Sequence, residues 1–259
     1  MRRIDQHQIS TDAAWDVKAA AEKAKVAAGS PVSKCQAVWG EAKDRLKRVS
    51  NGKCWYCESR QERSDNAVDH YRPKSIYPWL AYELSNFRYA CTYCNSIRRN
   101  PETGELAGKG DHFPLFNGAR ATVPAELNAE DVVLLDPCKG GDPGLLDFRA
   151  DGRPCAKYPA QAKRQDRAER SIHYYHLDHP DLVESRRLLA LKIQDWVEGA
   201  DALYKSLDQG DPATELAFSR LTENICRAVG ERAEFSVFVR RMVEGYKDRP
   251  WVEDLLQYA

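Results

Sequence analysis

The 259-residue sequence has no apolar run long enough to cross a bilayer, no internal repeat and no low-complexity tract. Its first residues, Met1-Arg2-Arg3-Ile4-Asp5-Gln6, lack the apolar core of a secretion signal, so a cytoplasmic protein with no membrane partner is expected. It also lacks a complete phosphate-binding loop. Gly104-Glu105-Leu106-Ala107-Gly108-Lys109-Gly110 has one residue too few between glycines and no closing Ser or Thr, so no ATP hydrolysis is expected of this chain. Net charge is absent as well, with 39 Lys and Arg against 39 Asp and Glu. Cysteine is not scarce. In a reducing compartment, eight of them read as metal ligands and buried thiols rather than a disulfide framework.

The zero balance hides a division. Residues 1–99 carry 18 Lys and Arg against 11 Asp and Glu, and the remainder carries 21 against 28. A basic first part favours phosphate there. The organisation follows from periodicity and punctuation. Two helices are expected over 1–52: Ala13 to Ala28, capped by Thr11 or Asp12 and stopped at Gly29, and Ser33 to Val49, with Val38, Trp39, Ala42 and Leu46 on one face. Residues 53–100 form a cysteine-bounded module closed by Asn100-Pro101. Residues 101–158, rich in Gly, Pro and Asp, read as loops with short strands such as Val132-Val133-Leu134-Leu135. Residues 159–259 are helical, with runs at Leu182 to Leu207, Leu216 to Val229, Phe235 to Tyr246 and Trp251 to Tyr258. The fold class expected is α+β.

Cys54-Trp55-Tyr56-Cys57 and Cys91-Thr92-Tyr93-Cys94 are two knuckles, each turning two thiolates toward one point, and together they supply the four-sulfur set that structural Zn²⁺ prefers. The 33 residues between them leave room for a functional hairpin. Cys35, Cys138, Cys155 and Cys226 have no such spacing and are expected as buried thiols. Asn66 to Tyr71 and Ser85 to Cys91 alternate like strands, and a short helix holding Cys94, Asn95, Arg98 and Arg99 is expected to follow. His112 and the trio His173, His176 and His179 read as packing or loop residues, since no carboxylate motif completes a second site.

Strand, strand and helix around zinc, with Asp69-His70, Asn86, Cys91-x-x-Cys94-Asn95 and Arg98 in that order, resembles the HNH endonuclease superfamily in its four-cysteine ββα-metal form. Longer stretches sharpen the likeness: Lys53 to Glu58, Asp69 to Ser75, Gly110 to Leu115, Leu134 to Cys138, Asp151-Gly152 and His176-Leu177. They are similar to the PtuB-type HNH nuclease subunits of Septu anti-phage defence, with relatives beside some retrons. The resemblance implies roles. Asp69 and Asn95, the latter an Asn where the family's second His stands, would hold a catalytic Mg²⁺ or Mn²⁺. His70 would be the general base, with an ordinary pKa near ~6.5. Asn86 would hold the other imidazole nitrogen. Arg72, Lys74, Arg98 (where the family usually has Lys) and Arg99 would contact phosphate. DNA is the implied substrate, RNA not being excluded, and an ABC-type ATPase subunit is the implied partner. Two other readings keep part of this: a free-standing restriction or mobile-element nuclease, and a non-catalytic zinc-ribbon subunit that binds nucleic acid.

Overall fold

The protein is seen in a computed structural model that describes residues 1–32, 35–61 and 66–258, apart from the side chains of Gln36 and Tyr258. Ser33, expected to open the second helix, lies outside the described residues. The fold is α+β, and the chain divides into two compact units: Met1–Leu146 with Cys155–His179, and Asp147–Pro154 with Pro180–Ala259. No described helix is long and apolar enough to cross a membrane.

The first unit opens with α1 (Ala13–Ala27), whose first turn is capped by Asp12 accepting from Trp15 N at 2.8 Å. Gly29 ends it at φ +89°, a conformation only glycine adopts without strain. α2 (Gln36–Val49) buries Val38, Ala42 and Leu46 completely. Trp15, Trp55, Tyr82, Phe87 and Tyr89 join the same core. The module hangs on this core through β1 (Ala67–His70) and β2 (Phe87–Ala90), an antiparallel pair with Asp69 opposite Arg88 and His70 opposite Phe87. β2 runs into α3 (Thr92–Asn95).

Two expectations need correction. The helix after β2 stops at Asn95, and Arg98–Arg99 form strand β3, paired with β4 (Leu106–Ala107). The cause is local. Lys109 N and Gly110 N bond to the carbonyls of Cys94 and Asn95 at 2.9 and 2.8 Å, so a returning loop takes the acceptors a longer helix would have used. The second concerns Val132–Leu135, where only Val132 forms a β-bridge, to Leu115. Val133, Leu134 and Leu135 are fully buried, and beyond the bridge bond from Val133 N to Pro114 O at 3.2 Å no ladder satisfies their backbone. Side chains do: Tyr71 Oη bonds to Leu134 O, Tyr175 Oη to Leu135 O, and Ser171 Oγ accepts from Leu135 N at 2.9 Å. That apolar run is a buried strap, and its periodicity alone could not separate a strap from a strand.

α4 (Ala162–Tyr174) completes the first unit. The second contains α5 (Pro180–Tyr204), α6 (Pro212–Val229), α7 (Ser236–Glu244) and α8 (Pro250–Tyr258), close to the four helical runs expected. α5 buries Leu182, Ala190, Ile193, Val197 and Ala200 at three- and four-residue spacing. Within this unit the buried Arg186 donates to Gly152 O at 2.6 Å. Gly152 is required there, because a Cβ would lie 2.5 Å from Val183 O.

Candidate active site

The two knuckles bring Cys54, Cys57, Cys91 and Cys94 together, all buried, with sulfurs within 4.8 Å of one another. Backbone turns make this possible. Cys54 O accepts from Glu58 N at 3.0 Å, with Glu58 in the left-handed region, and Cys91 caps α3 so that Cys94 lies one turn on. Cys57 and Cys91 sulfurs are 3.7 Å apart. Tetrahedral Zn²⁺ with Zn–S near ~2.3 Å separates its sulfurs by about 3.8 Å, so the donor set fits the ion. This is the one cluster of three or more such ligands among the described residues, and the His173, His176 and His179 trio does not form a second. Cys35, Cys138, Cys155 and Cys226, expected to be buried, are only partly buried.

β1 delivers Asp69 and His70 to opposite faces, as successive strand residues must be. The Asp69 carboxylate is buried. Its Oδ2 accepts from Tyr56 Oη at 2.6 Å and its Oδ1 from the Lys109 ammonium at 2.8 Å. Tyr56 sits between the two cysteines of the first knuckle and stacks on Tyr175, so the four-cysteine cluster itself orients the carboxylate. Burial, and next the charge of Asp69, push the Tyr56 hydroxyl well above its ordinary pKa, which keeps it a donor.

His70 lies edge-on to Trp39 and Phe87, 5.2 Å from each ring. Its Nε2 is 2.9 Å from Ala81 O, which also accepts from Trp39 Nε1 at 3.0 Å. A carbonyl can only accept, so Nε2 carries the proton and Nδ1 the lone pair. Burial, aided by the positive charges of Lys74 and Lys109, lowers the His70 pKa to about 4 against the opposing pull of Ala81 O and Asp69. The imidazole is therefore neutral at pH 7 and a weaker base than the ordinary value implies.

Asn86 does not hold that imidazole. Its Oδ1 accepts from Arg72 N at 2.8 Å, and its Nδ2 donates to Arg72 O and Leu80 O. Both ends of the amide are spent on closing the loop between β1 and β2, and Ala81, inside that loop, supplies the acceptor instead. Asn95 ends α3 and, with Asp69, His70, Pro73, Lys74, Gly110 and Asp111, lines one open cleft. Arg72 is committed elsewhere, to Glu130 at 2.7 Å. Arg98 lies over the Tyr93 ring, and Arg99 donates to Gly104 O at 2.5 Å; neither lines the cleft. His112 packs on Tyr174. Three participants escaped sequence reasoning. Tyr56 was visible only as a knuckle filler and Lys109 only as part of a failed phosphate loop, while the Ala81 carbonyl has no side-chain signature at all.

A four-cysteine clamp behind a β-hairpin and a short helix, with Asp-His at the strand end and Asn at the helix end, defines an HNH module. The HNH endonuclease family model matches residues 54–100, so the chain carries an HNH endonuclease domain. Beyond the module, the chain is 31% identical to the Septu protein PtuB of Bacillus mycoides over 167 residues, 59% of this chain and 52% of that protein. It is 40% identical to the Septu protein PtuB of Bacillus thuringiensis over 91 residues, 31% of this chain and 35% of that one. It also resembles part of the Septu protein PtuA of Bacillus mycoides, at 28% identity over 123 residues, 41% of this chain and 16% of that protein. The chain thus spans about half, or less, of the length of these relatives.

Proposed function

We propose that the HNH module hydrolyses DNA phosphodiester bonds, with His70 as general base and Asp69 and Asn95 as ligands of one divalent ion, Mg²⁺ or Mn²⁺. The observation carrying this reading is the single cleft that Asp69, His70, Lys74 and Asn95 share. Two oxygen donors, a buried carboxylate and a carboxamide, suit a hard cation. When bound, such an ion supplies charge stabilisation to the phosphate and the departing oxygen. His70, its ring fixed by Ala81 O, takes the proton of the attacking water on Nδ1. Lys74 puts positive charge at the cleft wall, where the phosphate enters. Zn²⁺ in the four-cysteine clamp holds Tyr56 and α3 in place and takes no part in the chemistry.

The test is cleavage of plasmid, single-stranded DNA and RNA by the wild-type chain and Asp69→Asn, with Mg²⁺ or Mn²⁺ and with EDTA. The reading expects DNA cutting, with 5′-phosphate and 3′-hydroxyl ends, that EDTA abolishes and Asp69→Asn lowers at least about 100-fold. Undiminished cutting by Asp69→Asn sinks it.

The likeness to PtuB supports a wider setting, a cytoplasmic Septu-type anti-phage complex in which an ABC-type ATPase subunit restrains the nuclease. The likeness to PtuA concerns a shared segment and is no sign of contact with PtuA. Co-purification of an ATPase subunit encoded beside this chain, with nuclease activity that changes with ATP, is the expected result. Efficient sequence-selective cutting by the isolated chain would favour a free-standing nuclease instead.

A further inference from the structure

We infer that Lys109 is a built-in counter-cation of the metal site, sharing the Asp69 carboxylate with the divalent ion and setting how tightly that ion binds; this rests on Asp69 being a ligand, as proposed above. Lys109 is fully buried, and its ammonium is 2.8 Å from Asp69 Oδ1 and 2.6 Å from His70 O. Its backbone is tied to the other proposed ligand: Lys109 N bonds to Cys94 O, and Gly110 N to Asn95 O at 2.8 Å. One residue thus touches the second knuckle, the strand end and the carboxylate. The approach depends on Gly108, at φ +108°, where a Cβ would lie 2.1 Å from Ser96 O.

The electrostatics are direct. Each Asp69 oxygen already accepts one hydrogen bond, from Lys109 or from Tyr56, and keeps a second lone pair for an ion. The positive charge of the Lys109 ammonium beside that carboxylate weakens the binding of any divalent cation there, and burial leaves the repulsion poorly screened. Lys109 is therefore a positioning residue that trades ion affinity for a fixed carboxylate.

The test is Mn²⁺ affinity, read from the electron paramagnetic resonance of free Mn²⁺, on zinc-loaded full-length wild type, Lys109→Gln, Lys109→Arg and Asp69→Asn. Lys109→Gln should bind Mn²⁺ about tenfold tighter than wild type, and Lys109→Arg, which keeps the charge, close to wild type. Equal or weaker binding by Lys109→Gln overturns the inference. Should Lys109→Gln unfold without Mn²⁺, restoration of its melting profile by Mn²⁺ supports the inference. Failure to fold at every Mn²⁺ concentration, while Lys109→Arg folds, overturns it by making the lysine purely structural. Asp69→Asn tests the underlying reading separately: full Mn²⁺ binding by that variant refutes the ligand assignment whatever Lys109 does.

Discussion

Ala81 has no functional group beyond its backbone, yet its carbonyl takes one hydrogen bond from Trp39 and one from His70, and so fixes the tautomer of the proposed base. Asn86 acts one step further out, on the loop that carries Ala81. Asn86→Ala should cost about 1–3 kcal/mol by leaving buried backbone groups of Arg72 and Leu80 unpaired, measurable by urea unfolding. Cleavage should fall with it through a displaced His70, while Mn²⁺ affinity stays near wild type. His176 gives a second residue-scale prediction. It is fully buried, both ring nitrogens have no hydrogen-bond partner among the described residues, and burial, with His179, His173 and Arg98 adding to it, lowers its pKa to about 4. The unfolded chain, with histidine near ~6.5, takes up the proton first, so this contribution to stability is complete above that pH. It is lost as pH falls from about 6.5 to about 4. His176→Phe should flatten that limb of a Tm-against-pH profile; an unchanged limb would assign it to other groups. The gathering of the four cysteines, and the meeting of Asp69, His70 and Asn95 in one cleft, were legible because both follow from side-chain type and spacing. Ala81 was not, since a backbone acceptor leaves no mark in sequence. Asn86 stood at the right position with its amide already spent.

At the scale of elements, the helical runs and the first hairpin were legible from period and punctuation, but the β3–β4 hairpin was not. Its strands are two residues each, too short for any alternation to show, and they exist because the loop after them returns to α3. That return is what delivers Lys109, 40 residues from Asp69, to the carboxylate. Gly108→Ala should therefore displace Lys109, loosen the end of α3 and lower cleavage despite changing no cleft residue. Normal activity and melting in that variant would contradict the placement. The 132–138 strap has its own anchor, a buried bidentate pair in which Arg88 donates to Asp136 at 2.8 and 2.6 Å. Burial opposes both charges and the pairing overrides it, raising Arg88 and lowering Asp136. Asp136→Asn leaves Arg88 buried without its counter-charge and should destabilise the protein by about 3–5 kcal/mol in urea unfolding.

For the whole molecule, the four-cysteine clamp is the joint between stability and the proposed chemistry. Tyr56, between two of the cysteines, holds Asp69, and α3, begun by a third and containing the fourth, ends in Asn95. Stripping the clamp with a strong chelator, or Cys91→Ser, should unfold the first unit and abolish activity even in excess Mg²⁺, because binding at such sites is folding free energy. Calorimetry should show a transition that moves with Zn²⁺ and a helical one, from the second unit, that does not. The division of charge along the sequence fits the position of the cleft within the basic residues 1–99, to which Gly110 and Asp111 are added by the return of the loop.

The central claim is that His70 is the base of a metal-dependent nuclease. The most direct measurement is Mn²⁺-supported plasmid cleavage by wild type and His70→Ala, each confirmed to be folded and zinc-loaded and each assayed alone and co-expressed with the ATPase subunit proposed above. The account predicts cutting by wild type in at least one of these states and loss of at least about 100-fold in His70→Ala. Equal cutting by the two, or none by wild type in either state, would contradict it.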